Sequence, residues 1–225
     1  MSGLAVFDLD NTLLAGDSDY LWGQYLVDHG IVDREHYEAA NRRFYEEYVD
    51  GTLNIFEFAE FSLEPLARLQ KAGLAALREA FVADLIRHRV APLAPALLAR
   101  HRAAGDTLLI TTATNRFITE PIAQLLGVDD LIATDPEIVD GRYTGRLTGV
   151  PNFREGKVER LQQWRAAQPR DYAYLTCYSD SHNDLPLLRA GTRAIAVDPD
   201  ARLREEALRS GWDVISLRDG AAASA

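Results

Sequence analysis

Short runs of apolar, β-prone residues alternate with helical patterns along most of this chain, and that alternation admits few folds. LAVFD from Leu4, TLLITT from Thr107, LIAT from Leu131, YAYLTCYSD from Tyr172, AIAV from Ala194 and DVIS from Asp213 read as buried strands. Helical patterns fall between them at 95–104, 117–126, 155–167, 184–189 and 201–209. Strands that are apolar on both faces and joined through helices form a parallel sheet covered on both sides, an α/β fold. The stretch EIVDGRYTGRL from Glu137 places Asp-Gly between β-prone residues and predicts a small hairpin.

Residues 17–89 break this rhythm. They show helical periodicity with no strand, over 18–29, 34–49, 55–66 and 74–88, with Gly30, Gly51 and Gly73 as separators, and Pro92 and Pro95 mark the return to the strand–helix pattern. The organisation expected is a core of residues 1–16 and 90–225 with a helical cap at 17–89, which suits a chain of 225 residues. With 47% hydrophobic and 26% charged residues the chain is ordinary for a folded soluble protein. No apolar run approaches the roughly 18 residues that cross a membrane, and the opening MSGLAVFDLD lacks the charged and apolar regions of a secretory signal. The lone Cys177 excludes an intramolecular disulfide, so a cytoplasmic location is expected. The terminal GAAASA reads as a frayed tail. A net charge of -10 counts against nucleic-acid and membrane-surface partners.

Two clusters carry chemistry. In FDLDNT, strand alternation would send Asp8 and Asp10 to the same side at the carboxyl end of the first strand, where open α/β sheets bind ligands. Like charges so placed raise each other's pKa unless a cation separates them. The alternative is plain turn chemistry through Asp-Asn-Thr. In CYSDSHNDLPLL, Asp180 and Asp184 follow another strand, and a parallel sheet brings them to the same edge; the alternative is that Asp184 only caps a helix. Four carboxylates without a Cys or His cluster suit Mg2+ better than zinc.

Taken in order, Asp8-x-Asp10-x-Thr12, a strand ending in Thr112, Lys157 at the start of a later helix and Asp180-x-x-x-Asp184 resemble the four motifs of haloacid dehalogenase (HAD) hydrolases. The helical segment between the first two motifs is similar to the subfamily that includes phosphoserine phosphatases. ITTATNRFIT and FREGKVERL resemble a bacterial branch of it, some of whose members are histidinol-phosphate phosphatases. The resemblance implies a Rossmann-like core with a cap of the C1 type and a Mg2+-dependent phosphatase acting on a small phosphate ester. It implies Asp8 as nucleophile, Asp10 as general acid and base, and Thr112 and Lys157 as phosphate ligands. The metal would take Asp8, Asp10 through its carbonyl, and Asp180, with Asp184 close behind. A bound cation and Lys157 would reconcile an acidic protein with an anionic substrate. Phosphotransfer to a hydroxyl and a non-catalytic binding role are the competing expectations.

Two departures stand out, Ser179 and Ser181 where the family has glycine, and His182 between them and Asp184 reads as a solvated loop residue or a substrate contact. Asp17 stands roughly where phosphoserine enzymes use Glu for the substrate amine, but the arginine expected near Phe61 and Ser62 for its carboxylate is absent, with Arg68 one or two turns later. The cap is instead acidic and aromatic, with Asp17, Asp19, Tyr20, Trp22, Tyr45, Glu46, Glu57, Phe58 and Phe61. These suit a substrate carrying an ammonium and a flat ring, such as histidinol phosphate, or else the rings fill the cap's own core. Asp17, Asp19, Thr112, Ala113 and Lys157 are the expected substrate contacts.

Overall fold

The computed structural model describes residues 2–69 and 71–218; the GAAASA tail lies outside them. Seven strands form one sheet: β1 (Leu4–Phe7), β2 (Thr107–Asn115), β3 (Asp130–Val139), β4 (Arg142–Thr148), β5 (Leu175–Ser179), β6 (Arg193–Val197) and β7 (Asp213–Ile215). Their order is β4-β3-β2-β1-β5-β6-β7, and all neighbouring pairs are parallel except β3 and β4. β1 is central, fully buried, and pairs with β2 on one side and β5 on the other. Helices α5 (Ala94–Ala104), α6 (Arg116–Leu126), α7 (Glu155–Ala166), α8 (Leu185–Ala190) and α9 (Ala201–Ser210) make the connections. The sheet divides the buried apolar side chains into two groups, one on each face, with Phe7 and Ile110 on one and Val6 and Leu109 on the other, as the alternation of a two-sided strand requires.

The insert supplies α1 (Ser18–Asp28), α2 (Arg34–Asp50), α3 (Ile55–Arg68) and α4 (Lys71–Asp84). Its two connections to the core run side by side: Leu14 and Val90 form an antiparallel bridge, and Ala15 donates its amide to the carbonyl of Arg89 at 2.6 Å. Trp22 of α1 meets the rings of Phe81 and Phe117, so the inner side of the insert is continuous with the main core. α3 lies against β4, with Gly145 allowing the approach of Ala67.

Several expectations are corrected. Gly73 lies inside α4 and separates nothing. Leu131 and the hairpin at Glu137 belong to one long strand, β3, which passes from the parallel sheet into an antiparallel pair; Asp140 and Gly141 turn it with φ of 51° and 76°, the left-handed pair of a two-residue hairpin. β5 begins at Leu175 rather than Tyr172. Among the described residues, no helix is long and apolar enough to cross a membrane.

Candidate active site

The carboxyl ends of β1, β2 and β5 open on a cavity of about 670 Å³, mouth included, roofed by α1, α2 and α3. β1 stops at Phe7, so strand alternation alone does not place both Asp8 and Asp10. Asp8 is still extended, its amide on the Tyr178 carbonyl at 2.9 Å, and Asp10 sits in a wide turn over Leu9–Leu13, closed by the Leu14 amide on the Leu9 carbonyl at 3.0 Å and passing through Asn11 at φ 57°. Both acids line the cavity while Leu9 turns into the core.

Asp10 is fixed by three donors. The Ser18 amide at the start of α1 reaches its Oδ1 at 2.6 Å, and the Thr114 and Thr112 hydroxyls reach Oδ2 at 2.8 and 3.4 Å. The two threonines face the same way because they stand two residues apart on β2, where its pairing with β3 shifts between Thr112 and Asn115. The carbonyls left by this irregularity are met by Asn152, fully buried, whose Nδ2 lies 2.9 Å from the Thr112 carbonyl, 3.0 Å from that of Ile132 and 2.9 Å from the Thr111 hydroxyl. Thr114 and Asn152 were not singled out from the sequence. The Thr112-x-Thr114 spacing could have found Thr114, whereas nothing local marks Asn152.

Lys157, on the first turns of α7 and 3% exposed, donates to Asp8 Oδ1 and to Asp184 Oδ2, both at 2.7 Å. Asp184 Oδ2 also accepts from Ser179 at 2.7 Å, so the serine that replaces glycine supports the site. Ser181 caps the turn over His182–Asp184 by accepting the Asn183 amide. Asp184 therefore precedes α8 rather than opening it, and makes no side-chain cap there. Thr12 donates to Asp180 Oδ1 at 2.9 Å and ties the first motif to the last. His182 is neither solvated nor in the cavity: its Nδ1 and amide both meet Asp200 Oδ2, at 2.8 and 2.7 Å.

Charge crowding sets the electrostatics. Burial, opposed by Lys157 and reinforced by Asp184 and Asp10, pushes Asp8 up to about 7. Burial and the neighbouring Asp17 raise Asp10 to about 6, against the pull of Ser18 and Thr114. Asp180 is driven well above the carboxylate range by burial and by Asp8. Burial would lower Lys157, but Asp184 and Asp8 reverse this and hold it charged. The donors at this corner are oxygens, and the negative excess around Asp8 and Asp180 is of the kind a hard divalent cation relieves. Among the described residues, no group of three acidic, His or Cys side chains forms a metal site by itself.

Asp17 caps α1 through the amides of Asp19 and Tyr20 and lines the cavity. Asp19, 9% exposed, lines it too, and burial together with Asp17 and Asp10 raises it well above the usual range. Ala113, Tyr20, Tyr45 and Phe58 also face the cavity. The other rings divide: Trp22 belongs to the core, and Phe61 packs on Tyr37 and Phe44. Glu46 is exposed, and Glu57 pairs with Arg43 at 2.7 Å. Arg68 is directed to solvent and pairs with Glu64.

Relatives match this chain over nearly its whole length. The histidinol-phosphatase of Neisseria meningitidis is 44% identical over 97% of this chain and all of its own. Phosphoserine phosphatase SerB1 of Mycobacterium tuberculosis is 31% identical over 97% of this chain and 72% of its own. A protein of unknown function from Bordetella pertussis has a structure that superimposes with a TM-score of 0.91 at 48% identity, over 96% of this chain and 99% of its own. Residues 5–189, which contain every acid at the cavity together with Lys157, match the family of haloacid dehalogenase-like hydrolases, and the chain belongs to that family.

Proposed function

We propose that this protein hydrolyses a small phosphate monoester through Asp8, and that the ester carries an ammonium and a flat ring, with histidinol phosphate the best candidate. One observation carries the substrate reading. Among the described residues lining the cavity, Lys157 is the sole cation, and it is already held by Asp8 and Asp184. A substrate carboxylate would meet Asp17 and Asp19 and find no basic partner, which is costly in a closed pocket. An amine would find both acids.

In this reading residues 1–16 and 90–225 form the catalytic core and 17–89 the cap. Asp8, neutralised in part by Lys157, attacks phosphorus and splits one displacement into two steps. Asp10 gives a proton to the departing alcohol and later takes one from water; a value near 6 lets it hold that proton close to neutrality. The Thr112 hydroxyl and the Lys157 ammonium bind phosphoryl oxygens. Asp8, Asp180 and the Asp10 carbonyl would hold Mg2+, with Asp184 behind them, and the ion would supply positive charge facing the phosphate.

Phosphoserine is the second reading, favoured by the 31% identical SerB1 and opposed by Arg68, which faces solvent away from the cavity. The test is release of inorganic phosphate, with Mg2+ and without an acceptor, from a panel including histidinol phosphate and phosphoserine, beside Asp8→Asn. A strong preference for histidinol phosphate that vanishes in the variant is expected. Preference for phosphoserine would overturn the substrate reading, and no release from any ester would overturn hydrolysis.

A further inference from the structure

The outer wall of the cavity is α2, which contributes Asn41, Phe44, Tyr45 and Tyr48. Its neighbours are better anchored. α1 and α4 share the main core, where Arg78 also donates to the Phe117 carbonyl at 3.0 Å, and α3 is packed on β4. α2 rests on α1 and packs Tyr37 and Phe44 against Phe61 of α3, and its last carbonyls have few local partners, Tyr48 O accepting the Gly51 amide at 3.2 Å.

Core side chains meet those carbonyls. Asn183 Nδ2 donates to Tyr48 O at 3.0 Å, Arg202 Nη1 to Asp50 O at 2.9 Å, and Arg154 Nη2 to Gly51 O at 2.5 Å. Two of the three are cations at the negative end of the helix. Arg154 also donates through Nε and Nη2 to Asn183 Oδ1, at 3.1 and 2.9 Å, so two of the donors brace each other. His182, fixed by Asp200, stands 3.3 Å from Arg202 Nη1.

Two backbone features mark this junction. Arg154 adopts φ 50° and ψ -118°, a conformation that an L residue keeps only where its surroundings impose it. Gly51 ends α2 at φ 73°, and a Cβ there would stand 2.9 Å from His182 Nε2, 3.2 Å from Arg154 Nη2 and 3.4 Å from Arg202 Nη1. A side chain there would push on the tips of all three groups, and the left-handed φ is itself strained for any residue but glycine. Their places in the chain give the contact its meaning: Arg154 opens the helix of Lys157, and Asn183 adjoins Asp184.

We propose that Arg154, Asn183 and Arg202 are positioning residues that latch α2 shut over the cavity and tie its closure to the two loops holding the Lys157–Asp184 ion pair. α2 is then the gate, and substrate enters while its C-terminal carbonyls are released. Losing the latch populates the open state and weakens apparent substrate affinity in proportion, with a smaller effect on the chemical step once substrate is enclosed.

Spin labels at Glu46→Cys on α2 and Glu205→Cys on α9, both exposed, report the gate directly, since Cys177 is buried and stays unlabelled. Against this background Arg202→Ala, Arg154→Ala with Arg202→Ala, and Gly51→Ala should each add a longer component to the interlabel distance. Unlabelled variants should raise KM by at least about threefold with a smaller change in kcat. Arg202 is exposed, so its removal leaves the fold intact and its distance distribution decides the matter. Superimposable distributions would overturn the proposal. A longer distance with KM raised less than about threefold would overturn the coupling to catalysis. The distance measurement needs no turnover, so failure of the phosphatase reading and failure of the latch are separately visible.

Discussion

Asp8→Asn should abolish turnover and at the same time stabilise the metal-free protein. Asp8 is 6% exposed and is pushed up to about 7, far above the ordinary carboxylate range, because burial outweighs the attraction of Lys157. The folded state therefore binds the Asp8 proton more tightly than the unfolded state does, and this contribution to stability falls as pH rises from about 4 to about 7. Asparagine keeps an oxygen for Lys157 and removes the charge. The gain should be about 2–4 kcal/mol at pH 8 and about half that at pH 5.5, where much of the Asp8 in the folded wild type is already protonated. For a chain of this length that is a rise in Tm of roughly 5–15 °C at pH 8. Thermal unfolding of wild type and variant in EDTA, at pH 5.5 and 8, measures it. A variant no more stable than wild type at pH 8, or a gain that does not grow with pH, would refute the view that an uncompensated buried charge dominates this corner.

Three further outcomes are expected. Thr114→Val removes a donor that steadies the ionised Asp10, so the alkaline limb of kcat/KM against pH, where Asp10 loses the proton it must give, should move to higher pH; an unmoved limb counts against Asp10 as the titrating group. Asn152→Ala strands the carbonyls of Thr112 and Ile132 and should cost about 2–6 kcal/mol in denaturant unfolding, from one to three for each buried group left unpaired, with kcat falling further than stability explains; normal kcat in the folded fraction would remove Asn152 from the site. Asp106 is held below the usual carboxylate range although burial opposes it, because His101, Tyr174 and the Gly3 amide donate to it. Its stabilisation is present above the unfolded pKa and is lost as pH falls through the folded value, so Asp106→Asn should destabilise near pH 7 and lose less than wild type does on going below about pH 4; parallel unfolding curves across that range would contradict this.

The sheet and the four motifs were legible in the sequence because each leaves a local trace: apolar runs for buried strands, and acids placed where those runs end. The Asp-Gly turn of β3 and β4 was legible for the same reason. Asp8 and Asp10 do share a side opposite Leu9, but strand alternation accounts only for Asp8, which continues β1, while the wide turn over Leu9–Leu13 presents Asp10. What stayed hidden depends on main-chain groups left unpaired in space. Asn152 answers carbonyls freed by an irregular strand pairing, and Arg154 and Arg202 answer carbonyls at the end of α2. No residue near them in the chain announces those vacancies. His182 was misjudged because its partner, Asp200, lies beyond the next strand.

The central place of β1 has a kinetic consequence. Leu4–Phe7 precedes every other strand in the chain, yet it pairs with Thr107–Ile110 on one side and Leu175–Tyr178 on the other. During synthesis its apolar residues wait for a first neighbour until β2 has left the ribosome, and for the second until β5 has. Contacts between residues so distant in the chain form slowly, and the waiting segment is prone to aggregate. Asp8 leaves the ribosome long before Lys157, Asp180 and Asp184, so no partial chain ending before β5 can assemble the nucleophile with its lysine and both distal acids.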